Sequence, residues 1–255
     1  MNAALNRRLP LALAVFVVVL LEQLLAFPRS IQWIAPVLIV STFFTVWQLS
    51  ERKIRRIFFW ETLLLPGLLV TGALLFIIFL EAHLTRHFVI FILGLLLWLF
   101  LEAVYLRQYD RPRYQPHALE NISSHLSVAA AFFWYTGLYR LNIYFQMADW
   151  LVSILAGFVG CALLYQLLWT ADIPSRAGRA SIALLGIMLA ELALVLSTLP
   201  TSVYVNGTVL TACFYTMSGI IRNWLHGIQE TKVMRRYVLL GGLIALVILL
   251  TAKWG

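Results

Sequence analysis

Long apolar runs alternate along this chain with short polar or proline-containing breaks. The runs fall at about 10–27, 33–49, 57–80, 88–106, 124–145, 150–170, 180–199, 203–221 and 237–252. A helix needs about 20 apolar residues to cross a hydrocarbon layer of roughly 30 Å, so each run has spanning length or close to it. The pattern predicts an all-α fold: a polytopic transmembrane helix bundle of about nine spans, making one integral membrane domain over residues 1–255. Two runs are diluted by polar residues. Gln32, Ser41, Thr42, Thr45 and Gln48 interrupt the second, and Asn206, Thr208, Thr211 and Ser218 the eighth, which leaves eight spans as the alternative.

The breaks carry a second pattern, because cytoplasmic loops hold the excess of Lys and Arg. With the N-terminus in the cytoplasm, Arg7, Arg8, Arg52, Lys53, Arg55, Arg56, Arg107, Arg111, Arg113, Arg176, Arg179, Arg222, Lys232, Arg235 and Arg236 fall inside. Only Arg29, Arg86, Arg140 and Lys253 then fall outside, and the alternation holds loop by loop with the C-terminus out. Trp47, Trp60, Trp98, Trp134, Trp150, Trp169, Trp224 and Trp254 lie mostly near run ends, where an amphipathic ring sits at headgroup level. Pro36 and Pro66 fall inside runs, and Pro66-Gly67 predicts a kink in the third. Gly157 with Gly160 and Cys161, Gly186 with Ala190, and Gly241, Gly242 and Ala245 have the small-residue spacing of close helix contacts. No internal repeat is visible, which weighs against an inverted-repeat transporter.

Composition narrows the function classes. The chain is 62% hydrophobic and 12% charged, with a mean hydropathy of +0.89. Its net charge of +8 is spread as small groups between apolar runs, which is topology signal rather than a nucleic-acid surface. Cys161 and Cys213 each lie in an apolar run without a Cys or His at ligand spacing, so neither a disulfide framework nor a metal site is expected, and no cofactor is implied. Arg7 and Arg8 precede an apolar run as in a signal peptide. That run, however, is long, carries Glu22 and Gln23 and ends without a small-x-small cleavage pattern, so a retained first span is expected.

Ionisable groups inside hydrocarbon are costly, which makes them the first functional candidates. Glu191 lies about 13 Å of helix before Pro200, Glu22 about 9 Å before Pro28, and Arg140 at similar depth in the fifth run. These three form a candidate intramembrane cluster in the outer half, either a structural ion pair or the lining of a polar pocket. Near the cytoplasmic face, Glu61, Glu102, His125 and His226 are candidate acid and base groups, although the adjacent cations offer interfacial salt bridges for Glu61 and Glu102. Glu120 and His125 are five apart and do not match helical metal-ligand geometry. From Ile221 to Arg236, Ile221, Trp224, Leu225 and Ile228 share one face. Arg222, Asn223, Lys232, Arg235 and Arg236 lie largely elsewhere, and Arg222, Lys232, Arg235 and Arg236 are the candidate lipid-headgroup contacts. The sequon at Asn121 is cytoplasmic in this topology, and that at Asn206 lies almost in the membrane.

No phosphate-binding glycine loop, nucleophile elbow, paired-histidine zinc motif or lipid-diphosphate site is present, and no span centre carries the lysine a retinal Schiff base needs. Leu119-Glu120-Asn121-Ile122 and Tyr165-Gln166-Leu167-Leu168-Trp169, within Ala118 to Thr170, together with Phe59-Trp60-Glu61 leading to Pro66-Gly67, carry a resemblance. In these residues the chain resembles an uncharacterised family of bacterial polytopic membrane proteins from candidate-phylum and environmental genomes. The resemblance implies a bacterial cytoplasmic membrane, with no assigned activity and no catalytic residues. The leading expectation is a non-catalytic scaffold or accessory subunit whose spans and basic loops hold membrane lipids or a membrane-protein partner. A small transporter using Glu22, Arg140 and Glu191 is one alternative; a motif-poor enzyme on a lipid-linked substrate is the other.

Overall fold

A computed structural model of the protein describes residues 3–51, 57–173, 175–227 and 230–252. Among these the chain forms nine α-helices and no strand. They are α1 (Ala3–Ala26), α2 (Ile31–Leu49), α3 (Ile57–Ile78), α4 (His83–Tyr109), α5 (Ala118–Phe145), α6 (Asp149–Thr170), α7 (Ser175–Ser197), α8 (Val203–Leu225) and α9 (Thr231–Thr251). Short 3-10 turns at Pro28–Ser30 and Arg111–Arg113 start with or contain proline. Arg52, Lys53, Arg55, Arg56, Ile228, Lys253 and Trp254 lie outside the described residues.

Each apolar run of the sequence corresponds to one helix. The helices overrun the runs, as where α4 begins at His83 and α5 at Ala118, because a polar turn still satisfies its backbone along the helix after the apolar stripe has ended. Pro36 and Pro66 sit inside α2 and α3, and both helices continue through them. Among the described residues seven helices are long and apolar enough to cross a membrane: α1, α2, α3, α4, α6, α7 and α9. The chain is a membrane protein. The diluted second run qualifies, whereas α8 and α5 fall short on composition. In α5 the reason is visible: Ser123, Ser127, Ala130, Ala131, Tyr135 and Thr136 are almost wholly buried, so protein rather than lipid is their solvent.

Contacts divide the chain into two compact units, Met1–Leu126 and Ser127–Gly255, with the division inside α5. In the first unit α1 packs along α4 and against α2, α2 on α3, and α3 on α4. Val17, Leu21, Leu38, Leu65, Leu69, Leu93 and Leu97 fill its interior. Gly94 admits Val18 of α1, whose side chain a Cβ there would strike. At one end the Tyr109 hydroxyl donates to the Leu49 carbonyl at 3.0 Å, tying the end of α4 to the end of α2.

In the second unit α6 lies along α7, α7 on α8, and α8 on α9. The small residues expected at helix contacts are there. A Cβ on Gly157 would stand 2.6 Å from the Gly186 carbonyl oxygen and 3.1 Å from the Ala190 methyl. Cys161 donates from Sγ to the Ile182 carbonyl at 3.3 Å, and the buried Tyr139 hydroxyl donates to the Ala193 carbonyl at 2.9 Å. Lipid tails are as apolar as leucine, so close backbone approach and such buried hydrogen bonds, more than apolar burial, hold spans together.

Candidate functional site

The intramembrane charges have separate surroundings. Glu22, half-buried on α1, faces His87 on α4, with Oε2 and Nδ1 2.6 Å apart. The His87 ring meets the His83 ring edge-on at 4.6 Å, and Arg86 donates from Nε to the Leu80 carbonyl. Arg140 and Glu191 belong to the second unit. On α5, Arg140 places its guanidinium 5.2 Å from the centroid of the Tyr204 ring on α8, and one of its terminal nitrogens lies 3.4 Å from the Tyr204 hydroxyl. The first is a cation–π contact and the second a long, weak hydrogen bond. Glu191 is exposed on the same face of α7 as Ile187, Met188, Leu194 and Val195, and among the described residues it has no ion-pair or hydrogen-bond partner. The structure thus pairs Glu22 with a histidine and Arg140 with a tyrosine, and it makes no ion pair of Arg140 and Glu191.

The acid and base candidates lie on α3, α4 and α5 and at the end of α8. Glu61 on α3 and Glu102 on α4 are half-buried, and Glu61 is engaged in an interaction. His125 is exposed and its Nδ1 bonds the carbonyl of Asn121 on its own helix at 2.8 Å. His226, exposed at the end of α8, belongs to the second unit. A cavity of about 300 Å³ opens at the α3–α4 end of the first unit, lined by Phe58, Arg107, Gln108 and Arg111, and none of the four candidates lines it. Among the described residues no group of three or more His, Cys, Asp or Glu is placed to hold a metal ion.

The basic segment is divided between two helices, since α8 ends at Leu225 and α9 begins at Thr231. Arg222 lies in the last turn of α8, half-buried and engaged, and Asn223 donates to the Gly219 carbonyl at 2.8 Å. Lys232, Arg235 and Arg236 are exposed in the first two turns of α9. A seam of small and aromatic residues joins the two helices. The Tyr237 ring covers Gly219 and lies 5.6 Å from that of Tyr215, while Gly241 sits against Thr216. Beyond this seam α9 is uncovered, and Gly241 is its one buried residue among those described.

Several buried polar groups escaped the sequence reading. Gln166 and Tyr135 are fully buried, and neither the Gln166 amide nor the Tyr135 hydroxyl has a hydrogen-bond partner among the described residues. Asn206, 4% exposed, donates to the Leu196 carbonyl at 3.1 Å and accepts from Thr201 at 2.5 Å, linking the end of α7 to the start of α8. Neutral polar residues scattered through an apolar run carry no charge signal. The i,i+4 series Ser123, Ser127, Ala131, Tyr135, Tyr139 was the readable trace of an internal face.

No curated protein matches the chain, and no solved structure does. The family described as "Protein of unknown function (DUF5656)" matches residues 44–251, which takes in the α3–α4 cavity, Arg140, Glu191 and α9 and leaves out Glu22. With a match over most of its length, this membrane protein belongs to the DUF5656 family.

Proposed function

We propose that the protein is a non-catalytic accessory or scaffold subunit of the bacterial cytoplasmic membrane, its N-terminus cytoplasmic, with α9 as its docking element. The observation that carries this reading is the exposure of α9. A 21-residue apolar helix is attached through one narrow seam on α8, and Leu239, Leu240, Leu243, Leu246, Val247 and Leu250 are all left exposed. Such a face suits the span of another membrane protein, which offers shape complementarity that lipid does not. The basic start of the helix supports the same role. Lys232, Arg235 and Arg236 stand at the positive end of the helix dipole, where cations are disfavoured, and an anionic headgroup surface offsets that repulsion. The transport alternative draws no comparable support, since Glu22 and Arg140 each have a local partner and Glu191 faces outward.

A photo-crosslinking amino acid at Leu243 or Leu246, used in intact bacterial membranes, tests the docking. A discrete protein adduct is expected there and none at Phe91, an equally exposed position on α4. Adducts to lipid alone at both α9 positions would remove the docking role.

A further inference from the structure

Between α1 and α4 runs an open groove of about 240 Å³ with apolar walls. Leu11, Val15 and Val19 of α1 form one side, and Phe91, Leu95 and Trp98 of α4 the other. Helical periodicity places charges at one end of it. Arg8 stands eleven positions before Val19, three turns away on the same face, and Arg7 stands likewise to Val18. Glu102 stands eleven positions after Phe91, on the stripe that Leu95 and Trp98 continue. The helices run antiparallel, since Gly94 lies against Ala14 and Val18 while His87 meets Glu22. In that register the turn of α4 level with Arg8 is the one that holds Glu102. This end of the groove thus carries two cations and one carboxylate. Arg7 and Arg8 are exposed and Glu102 is half-buried with its carboxylate still accessible; among the described residues none of the three has an ion-pair or hydrogen-bond partner.

We propose that this groove binds an aminophospholipid of the phosphatidylethanolamine type. One acyl chain lies between the α1 and α4 walls, the phosphate takes Arg7 and Arg8, and the ammonium donates to the Glu102 carboxylate. Lipid tails are as apolar as these walls, so the groove fixes where a chain lies and the headgroup decides which lipid is held. Arginine's planar fork matches phosphate oxygens. A half-buried carboxylate at the edge of hydrocarbon is costly unless paired, and a primary ammonium with its three donors offsets that cost. Phosphatidylglycerol brings no cation to Glu102, and the quaternary amine of phosphatidylcholine brings no N–H. The site lies on α1 and α4, so it is independent of the α9 docking proposed above.

Full-length protein in detergent micelles provides the test, titrated with phosphatidylethanolamine, phosphatidylglycerol and phosphatidylcholine of identical oleoyl chains and read by native mass spectrometry. One saturable equivalent of phosphatidylethanolamine is expected, bound about tenfold more tightly than the other two lipids. Glu102→Gln should remove that preference, and Arg8→Gln should weaken all three lipids. Val15→Phe, which fills the groove, should displace the bound equivalent, whereas Val40→Phe on α2 should leave it in place. Val15, Val40 and Arg8 are exposed, so their substitutions leave the core intact. Absence of a saturable phosphatidylethanolamine equivalent overturns the proposal. So does phosphatidylethanolamine affinity indifferent to Val15→Phe or to Arg8→Gln, a preference unchanged by Glu102→Gln, or phosphatidylglycerol or phosphatidylcholine bound as tightly by the unmodified protein.

Discussion

Glu22 of α1 and His87 of α4 meet at 2.6 Å, joining the two most closely packed helices of the first unit. The carboxylate that sequence depth marks as a cost of insertion has a hydrogen-bond partner on the neighbouring span, and that partner stands in the second turn of α4. Glu22 and His87 side chains are 36% and 40% exposed, so their coupling is modest.

A double-mutant cycle of Glu22→Gln and His87→Phe, measured by unfolding in mixed micelles, is expected to give a coupling of about 0.5–1 kcal/mol. A coupling indistinguishable from zero would show that α1 and α4 are held by apolar packing and Gly94 alone.

The α6–α7 seam responds to size rather than to polarity. Gly157→Val places atoms where the Gly186 carbonyl and the Ala190 methyl already stand, and about 1–3 kcal/mol of stability should be lost. Gly242 of α9 has nothing within 4 Å of its would-be Cβ, so Gly242→Ala should gain roughly 0.5–1 kcal/mol from helix propensity. Thermal melts of the two variants should therefore move in opposite directions; a common direction contradicts the packing described.

Element existence was readable in this sequence because lipid imposes one length and one backbone solution on every span. Thus the breaks at Pro28, at Arg111–Arg113 and at Pro200 each fall between α-helices of the structure. Side-chain pairing was not readable, because depth says how far a residue lies along a span and nothing of which way it faces. Glu22, Arg140 and Glu191 share a depth, yet Glu22 meets His87, Arg140 meets Tyr204 and Glu191 faces outward. Facing is set by packing, and the packing here runs through neutral residues such as Gly157, Gly186 and Asn206, which differ little from their neighbours in hydropathy pattern.

Glu191 lies about 9 Å of helix rise before the end of α7, among exposed apolar side chains. Replacing it by leucine should ease insertion of α7 by about 2 kcal/mol, read as a higher inserted fraction in a translocon assay, without lowering the melting temperature of the folded protein. A marked loss of stability would mean that the carboxylate has a partner the isolated chain lacks.

Asn206 makes two side-chain hydrogen bonds while almost fully buried, and Asn206→Leu breaks both, leaving the Leu196 carbonyl with its bond from the Leu199 amide and the Thr201 hydroxyl without this acceptor. A loss of about 2 kcal/mol is expected, together with faster exchange of the amides at the α7–α8 junction. An unchanged exchange rate there would assign the junction's stability to apolar contacts.

The charge pattern predicts the orientation of the chain, and the first unit makes it testable at two sites. The Tyr109–Leu49 hydrogen bond and the Phe58–Arg107–Arg111 cavity place the end of α2, the start of α3 and the end of α4 together, at the basic end. The Glu22–His87 pair and the contact from Arg86 to the Leu80 carbonyl mark the opposite end. With Cys161 and Cys213 replaced by serine, a cysteine at Arg111 should label only when an impermeant thiol reagent reaches the cytoplasmic face, and one at the exposed Glu81 only from outside. Labelling reversed at both sites would invert the topology. Labelling of both from one side would contradict the traverse of α4, the helix that joins them.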